Sequence, residues 1–482
     1  MSDRSLTREA AAFAADLDFE DLGGEVLRIA RRCVLDGLGV ALAGTEQPAI
    51  DVIERYARSL GGAPEARVIG DSALRLPAHL AALWNGTAGH AMDWDDTQLA
   101  EGPGRPYGLL THPTMAPLSA GLALADQIAR EGGTAVDGRR FLTAFVAGFE
   151  VECKVAEAIN PDHYIKGFHS SGTLGTFGAA TTAAKLLGFD ERQTARAIGL
   201  AASMASGIRA GFGTMTKPLH MGRAAENGVT AALLVRAGFS ASEQGLDGPW
   251  GYLAVAGRGG EPELVLGRFG KPFSIVEPGV SIKPYPCGVL THPSMDAMLE
   301  VMRANHLAPE DIARVTLFAG SNILDPIRFE RAATELEGKF CFPFLLAAII
   351  LRGKAGKAEF TDAFVASPAC QEMQGRIESQ FDQAIEDRGW ERIRSRLEVG
   401  TRDGREIVHW ASEDYRGGPH NPLSDAEVEG KFRDCAEGQL DEAAIGAVFD
   451  QVWRLEAQSD ATAVLDHLDW RSKRQAGARS VA

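Results

Sequence analysis

Apolar positions fall at helical spacing through most of the chain. From Gly24 to Ala43, residues Val26, Ile29, Ala30, Cys33, Val34, Leu38 and Ala41 recur three and four apart and Gly44 follows, so the spacing predicts an amphipathic helix with a glycine stop. Pro77 to Ala91, Met115 to Ile128, Gly138 to Ile159, Thr173 to Leu187, Glu191 to Ala205 and Ala224 to Ala237 repeat the pattern between Gly, Pro and polar breaks. Many of these segments are rich in Ala and Gly, which lets helices approach closely, and a multi-helix core follows rather than a doubly wound sheet.

The texture changes near Val276, where Pro278, Pro284 and Pro286 interrupt any helix. Met295 to His306 is helical again, Ala313 to Ala319 alternates as a strand does, and LEVGTR and REIVHW flank Asp403-Gly404 as a hairpin. The longest apolar run, Phe340 to Leu351, includes Pro343 and falls well short of the roughly 20 residues that span a bilayer, so it reads as a buried helix. After Gly417-Gly418-Pro419 helix resumes with Ser424 as N-cap, and the last dozen residues read as a frayed tail. The expected fold is mainly α, with helices over 1–275 and 413–482 and a smaller α+β domain over 276–412.

Charge narrows the partners. With 49 Lys and Arg against 65 Asp and Glu the net charge is −16, which argues against nucleic acid. A small anionic ligand instead requires positive residues gathered locally against the overall charge. Six scattered cysteines show neither a CxxC pair nor zinc-like spacing, and the N-terminus lacks a secretory signal, so a reducing cytoplasm, no membrane and no metal are expected.

Histidine is scarce at 11 residues, and its neighbours are informative. In His90-Ala-Met-Asp93-Trp-Asp95-Asp96-Thr97 a continuing helix puts His90 and Asp93 on one face, and three acids in four residues repel enough to raise at least one pKa. That suits a general acid or base; the alternatives are a solvated acidic helix end or an HxxD metal pair. Thr111-His112-Pro113-Thr114 and Thr291-His292-Pro293-Ser294 each place His-Pro where a helix opens, as anion sites or as plain caps. Glycines at every third residue from Gly172 to Gly178 mark a close-packed helix seam rather than a dinucleotide fingerprint. His169 and Ser170 then stand at that helix's N-terminus, where free N–H groups attract carboxylate, unless His169 merely caps it.

Phe212 to Arg223 reads as a flexible Gly/Thr loop carrying Lys217, His220 and Arg223, a basic focus in an acidic protein. Lys283 and Tyr285 lie in a proline-stiffened segment at the domain boundary, beside Cys287, a candidate nucleophile with no evident base. No P-loop, HExxH, GxSxG or cysteine cluster appears, which leaves an enzyme without cofactors.

Taken together, NGTAGHAMDWDDT (85–97), THPT (111–114), GFHSSGTLGTFGAA (167–180), TKPLHMGRAA (216–225), KPYPCG with THPSMDA (283–297) and KFCFPFLLAAIILRGK (339–354) resemble the MmgE/PrpD family. The likeness runs in order from LDGLGVALAG (35–44) to HNPLSDAEVEGKFRD (420–434). The family includes 2-methylcitrate dehydratase, cis-aconitate decarboxylase and iminodisuccinate epimerase. The resemblance implies a helical domain assembled from both chain ends, an inserted α+β lid, and a homodimer without metal or organic cofactor. Positions matching site groups of the decarboxylase branch are Asp93, Thr97, His112, His169, Lys217 and Lys283. Two departures stand out: Gly288 replaces a family histidine, and about nine extra residues, AEGPGRPYG and neighbours, separate Thr97 from His112.

The expected activity is a dehydratase-type lyase acting on a small hydroxylated di- or tricarboxylate by proton abstraction beside a carboxylate. An epimerase of the iminodisuccinate type and a cis-aconitate-type decarboxylase are the alternatives. Asp93, His112, His169 and Lys217 are the expected catalytic groups, and Thr97, Ser170, Lys283, Tyr285 and Arg223 the substrate-binding ones.

Overall fold

A computed structural model describes residues 5–99 and 109–474. The AEGPGRPYG insertion (100–108) and the end of the C-terminal tail lie outside the described residues. Helix starts follow local chemistry. The first helix, α1 (Leu6–Asp16), is capped by Ser5, whose Oγ accepts from the Arg8 N–H at 3.3 Å. Then come α2 (Gly24–Gly44) and α3 (Pro48–Leu60), which has proline in its first turn. A hairpin of β1 (Ala66–Val68) and β2 (Asp71–Leu76) interrupts the helices. The sequence pattern misses it because so short a strand shows no alternation.

Next are α4 (Ala78–Ala91), α5 (Met115–Gly132) and α6 (Gly138–Ile159), the last capped by Asp137 on the Arg140 N–H at 2.9 Å. They are followed by α7 (Asp162–Ile165), α8 (Ser170–Leu186), α9 (Glu191–Met204), α10 (Thr216–Arg236) and α11 (Tyr252–Gly257). Asp190 and Gln193 close α9 with a reciprocal capping box.

The chain divides into two compact units, and the second takes Ser281–Ser424. It holds α12 (His292–Ala304), β3 (Ile312–Ala319), α13 (Phe342–Arg352), β4 (Ile377–Phe381), β5 (Ser395–Thr401) and β6 (Glu406–Trp410). The sheet order is β4-β3-β5-β6, parallel between β3 and β4 and antiparallel elsewhere. The apolar run forms buried α13, with Pro343 in its first turn, packed on α12 and β4. Back in the first unit are α14 (Asp425–Ala436) and α15 (Glu442–Val452). The protein is mainly α, and among the described residues no helix is long and apolar enough to cross a membrane.

The first unit is centred on α4, α8 and α10. Every residue of α4 except His79 is buried, and every residue of α8 except Lys185, as befits helices packed on all sides. Glycine sets how closely α4 and α10 approach. A Cβ on Gly86 would stand 2.9 Å from the Gly222 Cα, and one on Gly222 would overlap the Leu83 carbonyl and Thr87 Oγ1.

Two sequence expectations change here. The helix expected from Ala224 begins at Thr216, so Lys217 and His220 lie on its first turns and not in a flexible loop. Their polar side chains, turned inward, had masked the apolar periodicity. The expected frayed tail is tied down as far as it is described: Trp470 and Arg471 donate their backbone N–H to the Gly70 carbonyl at 3.2 and 2.9 Å, and Trp470 Nε1 donates to Thr45 Oγ1 at 2.9 Å.

If the glycine contact sets the α4–α10 spacing, Gly222→Val lowers the unfolding free energy by about 1–3 kcal/mol or more through overpacking. Gly430→Ala, exposed on α14 with nothing within 4 Å of its added Cβ, raises it by about 0.4–1 kcal/mol. Urea denaturation of both variants measures this, and an unchanged midpoint for Gly222→Val contradicts it.

Candidate active site

The site is built on the turn that ends α4. The helix stops at Ala91, and Asp93 takes φ 56°, a left-handed conformation that Asp accepts more readily than most residues. His90 and Asp93 therefore do not share a helical face, contrary to the sequence expectation. The turn instead carries Asp93, Asp95 and Asp96 into the interior, each at most 4% exposed, and gives each its own partner. Lys217 Nζ donates to Asp93 Oδ1 at 2.6 Å. His90 Nδ1 donates to Asp95 at 2.8 Å. Asp96 accepts from Thr114 Oγ1 at 2.6 Å and from the Thr114 N–H at 3.3 Å.

A raised pKa among these acids was expected, and Asp96 carries it. Burial first, then the nearby Asp36 and Asp95 charges, push its carboxyl up to about 8 against the Thr114 hydrogen bond. Desolvation thus outweighs mutual repulsion. Behind the turn, Lys431 of α14 donates to the Trp94 carbonyl at 2.7 Å and pairs with Asp36 at 2.6 Å, so the C-terminal segment holds the turn in place.

Around the turn stand four histidines. His112 lies ahead of α5, whose cap position is Thr114, so the His-Pro pair does not open that helix as expected. Its Nδ1 donates to the Asp96 carbonyl at 2.6 Å. His169 occupies the position before α8, yet its side chain makes no capping bond. Its ring instead stacks on His90 at 5.5 Å, meets the edge of Phe212 at 4.9 Å and reaches His220, Nδ1 to Nδ1, at 3.0 Å. His90 and His112 approach within 4.8 Å.

Burial lowers the pKa of His90 and, more strongly, of His169, where the neighbouring His90, Lys217, His112 and His220 add to it. His220 is lowered to about 4, again mainly by burial. The Nε2 atoms of His90 and His169 are buried and lack a hydrogen-bond partner among the described residues. Orphaned polar atoms of this kind are uncommon in native interiors and call for an occupant.

His90, Asp95 and His112 bring ligand-type atoms within 4.8 Å of one another. The Nδ1 of His112, however, must carry a proton to donate to a carbonyl, and His90 Nδ1 is engaged by Asp95. Both Nδ1 atoms are thus committed to hydrogen bonds, while the Nε2 of His90 has no partner among the described residues.

The remaining candidates divide between the units. In the first, Thr97 Oγ1 donates to the Thr111 carbonyl at 3.2 Å and Ser170 opens α8. Arg223 stands apart from expectation: it is exposed on α10 and paired with Glu226 at 2.6 Å rather than with the histidine cluster. In the second unit Lys283 is 2% exposed, and Tyr285 donates to Asp296 at 2.6 Å beside the His292 ring. Cys287 lies against Thr291 and Met295, and His292 faces its carbonyl rather than its sulfur.

Sequence reasoning passed over Glu152, Asp95 as the partner of His90, and His220 as the partner of His169. Buried Glu152 on α6 accepts from Thr111 Oγ1, and desolvation raises its pKa well above the usual range. Its carboxyl fills the space left by Gly175 and Gly178, so the glycine spacing was its only signal. For His220 the signal was its i, i+3 relation to Lys217, legible only once the helix starts at Thr216.

Buried carboxylates, neutral imidazoles with free nitrogens and a buried ammonium form an arrangement suited to holding an anion and moving a proton. The chain matches the MmgE/PrpD N-terminal domain over residues 8–265 and the MmgE/PrpD C-terminal domain over residues 285–455. It is 26% identical to cis-aconitate decarboxylase of Homo sapiens over 484 residues, covering 99% of this chain and 98% of that protein. It is 25% identical to cis-aconitate decarboxylase of Aspergillus terreus (strain NIH 2624 / FGSC A1156) over 489 residues, 96% of each. With both family domains matched in order along its length, the chain belongs to the MmgE/PrpD family.

Proposed function

We propose that this protein is a lyase acting on a small di- or tricarboxylate by proton transfer at the carbon beside a carboxylate, without metal or organic cofactor. The observation that carries the reading is the pair of buried, unpartnered Nε2 atoms of His90 and His169 in one cluster with buried Lys217. A proton next to a carboxylate is weakly acidic until positive charge and hydrogen bonds offset the developing enolate. Lys217 holds a substrate carboxylate, with Thr97 and Ser170 as further donors. An incoming carboxylate competes with Asp93 for Lys217 and leaves Asp93 beside the reacting carbon.

In dehydration His169 takes the proton at Nε2, the C–H electron pair becomes the double bond, and the hydroxide leaves as water with the Nε2 proton of an imidazolium His112, which returns to its Nδ1–H form. A neutral His169 at rest favours this order of events, because the base is ready before substrate arrives. Gly288, in place of a family histidine, also separates the chain from the decarboxylase pattern. A second reading, decarboxylation, draws on the relatives named cis-aconitate decarboxylase. There the carbon–carboxylate bond breaks, its electron pair passes through the neighbouring enoate, and a histidine that has taken up a proton from solvent delivers it to carbon. Both readings extend to a homodimer, and the free, buried cysteines suit a reducing cytoplasm.

Incubating the protein with a panel of C4 to C7 polycarboxylates in deuterium oxide and reading the products by NMR separates the outcomes. Dehydration yields an enoate, decarboxylation yields CO2 and one deuterium on carbon, and epimerisation yields deuterium exchange with the carbon skeleton intact. No change in any substrate sinks the proposal.

His169→Gln and Lys217→Met are expected to reduce kcat/KM by roughly 10²–10⁴-fold. Lys217→Met also costs about 3–5 kcal/mol of stability by leaving Asp93 as an unpaired buried charge. His169→Gln leaves no such charge, so full turnover by that folded variant rules out its role.

The pH profile has a definite sign. A base must be unprotonated, so kcat/KM falls as pH drops through the free enzyme's pKa. With His169 held well below its ordinary value, the acid limb lies below about pH 6.5. An acid limb above pH 7 is incompatible with His169 as the base.

A further inference from the structure

The ring of His220 occupies a space made for it. A Cβ on Gly172 would stand 2.7 Å from the His220 Cβ, and one on Gly207, itself at φ 141°, would stand 3.2 Å from the His220 ring. Gly211 closes a third side. So placed, His220 meets His169 through a 3.0 Å contact between the two Nδ1 atoms. The groups facing this pair are His90 from α4, His112 ahead of α5, and Lys217 on α10, and they disfavour a positive charge on His169.

Between two neutral imidazoles one Nδ1 must donate and the other accept. If His220 donated, His169 would carry its proton at Nε2, where a buried N–H would find no acceptor. If His169 donates, its Nε2 keeps a lone pair, and His220 carries its own proton at Nε2. His220 retains 9% exposure while His169 has none, so water reaches the ring that holds the outward proton. A buried donor without a partner is the costlier orphan, and the second arrangement follows.

We propose that His220 is a positioning residue that holds His169 in the Nδ1–H tautomer, so that the Nε2 lone pair of His169 faces the reacting carbon. The inference rests on the reading of His169 as the base. It adds that an imidazole, which by itself favours the other tautomer, is held ready by a second histidine one helix away.

The test uses the full-length protein with 15N-labelled histidine. Long-range 1H–15N spectra of the resting enzyme distinguish the two tautomers, and comparison with His169→Gln assigns the His169 signals among the 11 histidines. The expected result is an Nδ1–H pattern for His169 that reverts to Nε2–H in His220→Phe. In that variant kcat falls roughly 10- to 10³-fold, with KM within about threefold of wild type. His220→Asn places an amide oxygen where Nδ1 stood and should restore both the tautomer and most of kcat. An Nε2–H pattern in the wild type, or an unchanged pattern in His220→Phe, overturns the proposal whether or not a substrate is known. A tautomer that reverts while turnover stays at the wild-type rate leaves the positioning intact and refutes His169 as the base.

Discussion

Three carboxylic acids within four residues, Asp93, Asp95 and Asp96, are carried into the interior by one left-handed turn, and most of the first unit answers to that burial. A carboxylate removed from water is tolerable only if it is paired, hydrogen-bonded or protonated. All three solutions occur side by side. Asp93 takes the Lys217 ammonium, Asp95 takes the His90 imidazole, and Asp96 holds its proton to about pH 8 while Thr114 bonds both its oxygens. Each solution recruits a different element, so the turn draws the end of α4 and the starts of α5 and α10 to one place.

The same burial explains why a protein of net charge −16 can receive an anion. Around the turn one carboxyl is neutral and another is offset by an ammonium. The local field is therefore much less negative than the overall charge suggests, and a substrate carboxylate can exchange with Asp93 for Lys217. Histidines kept neutral by desolvation supply proton acceptors without adding fixed charge. Packing and electrostatics are coupled here, because the glycine contacts that let α4, α8 and α10 approach also make room for the Glu152 carboxyl and the His220 ring.

Much of the helical framework was legible from spacing. The helices α2, α6 and α9 fall where the apolar stripe put them to within about a residue, and the Asp403-Gly404 hairpin lies between its two strands. These elements are amphipathic or carry strong turn chemistry, so local pattern and tertiary demand coincide. The pattern failed at Thr216–Arg223, where the inward face of a helix is polar, and at His112, where a proline suggested a helix start that Thr114 provides instead. It also grouped Arg223 with Lys217, although six residues along a helix carry the guanidinium to the solvent side.

By itself the sequence determined the helical class, the family, and which segments concentrate His, Lys and Asp, since these depend on residue types and on periods of a few residues. Only the tertiary structure decided who pairs with whom. Asp93 went to Lys217 across 124 positions and His169 to His220 across 51. The physical reason is that a buried charge or ring nitrogen is satisfied by whatever the packing of distant helices brings within about 3 Å, and no local pattern records that distance.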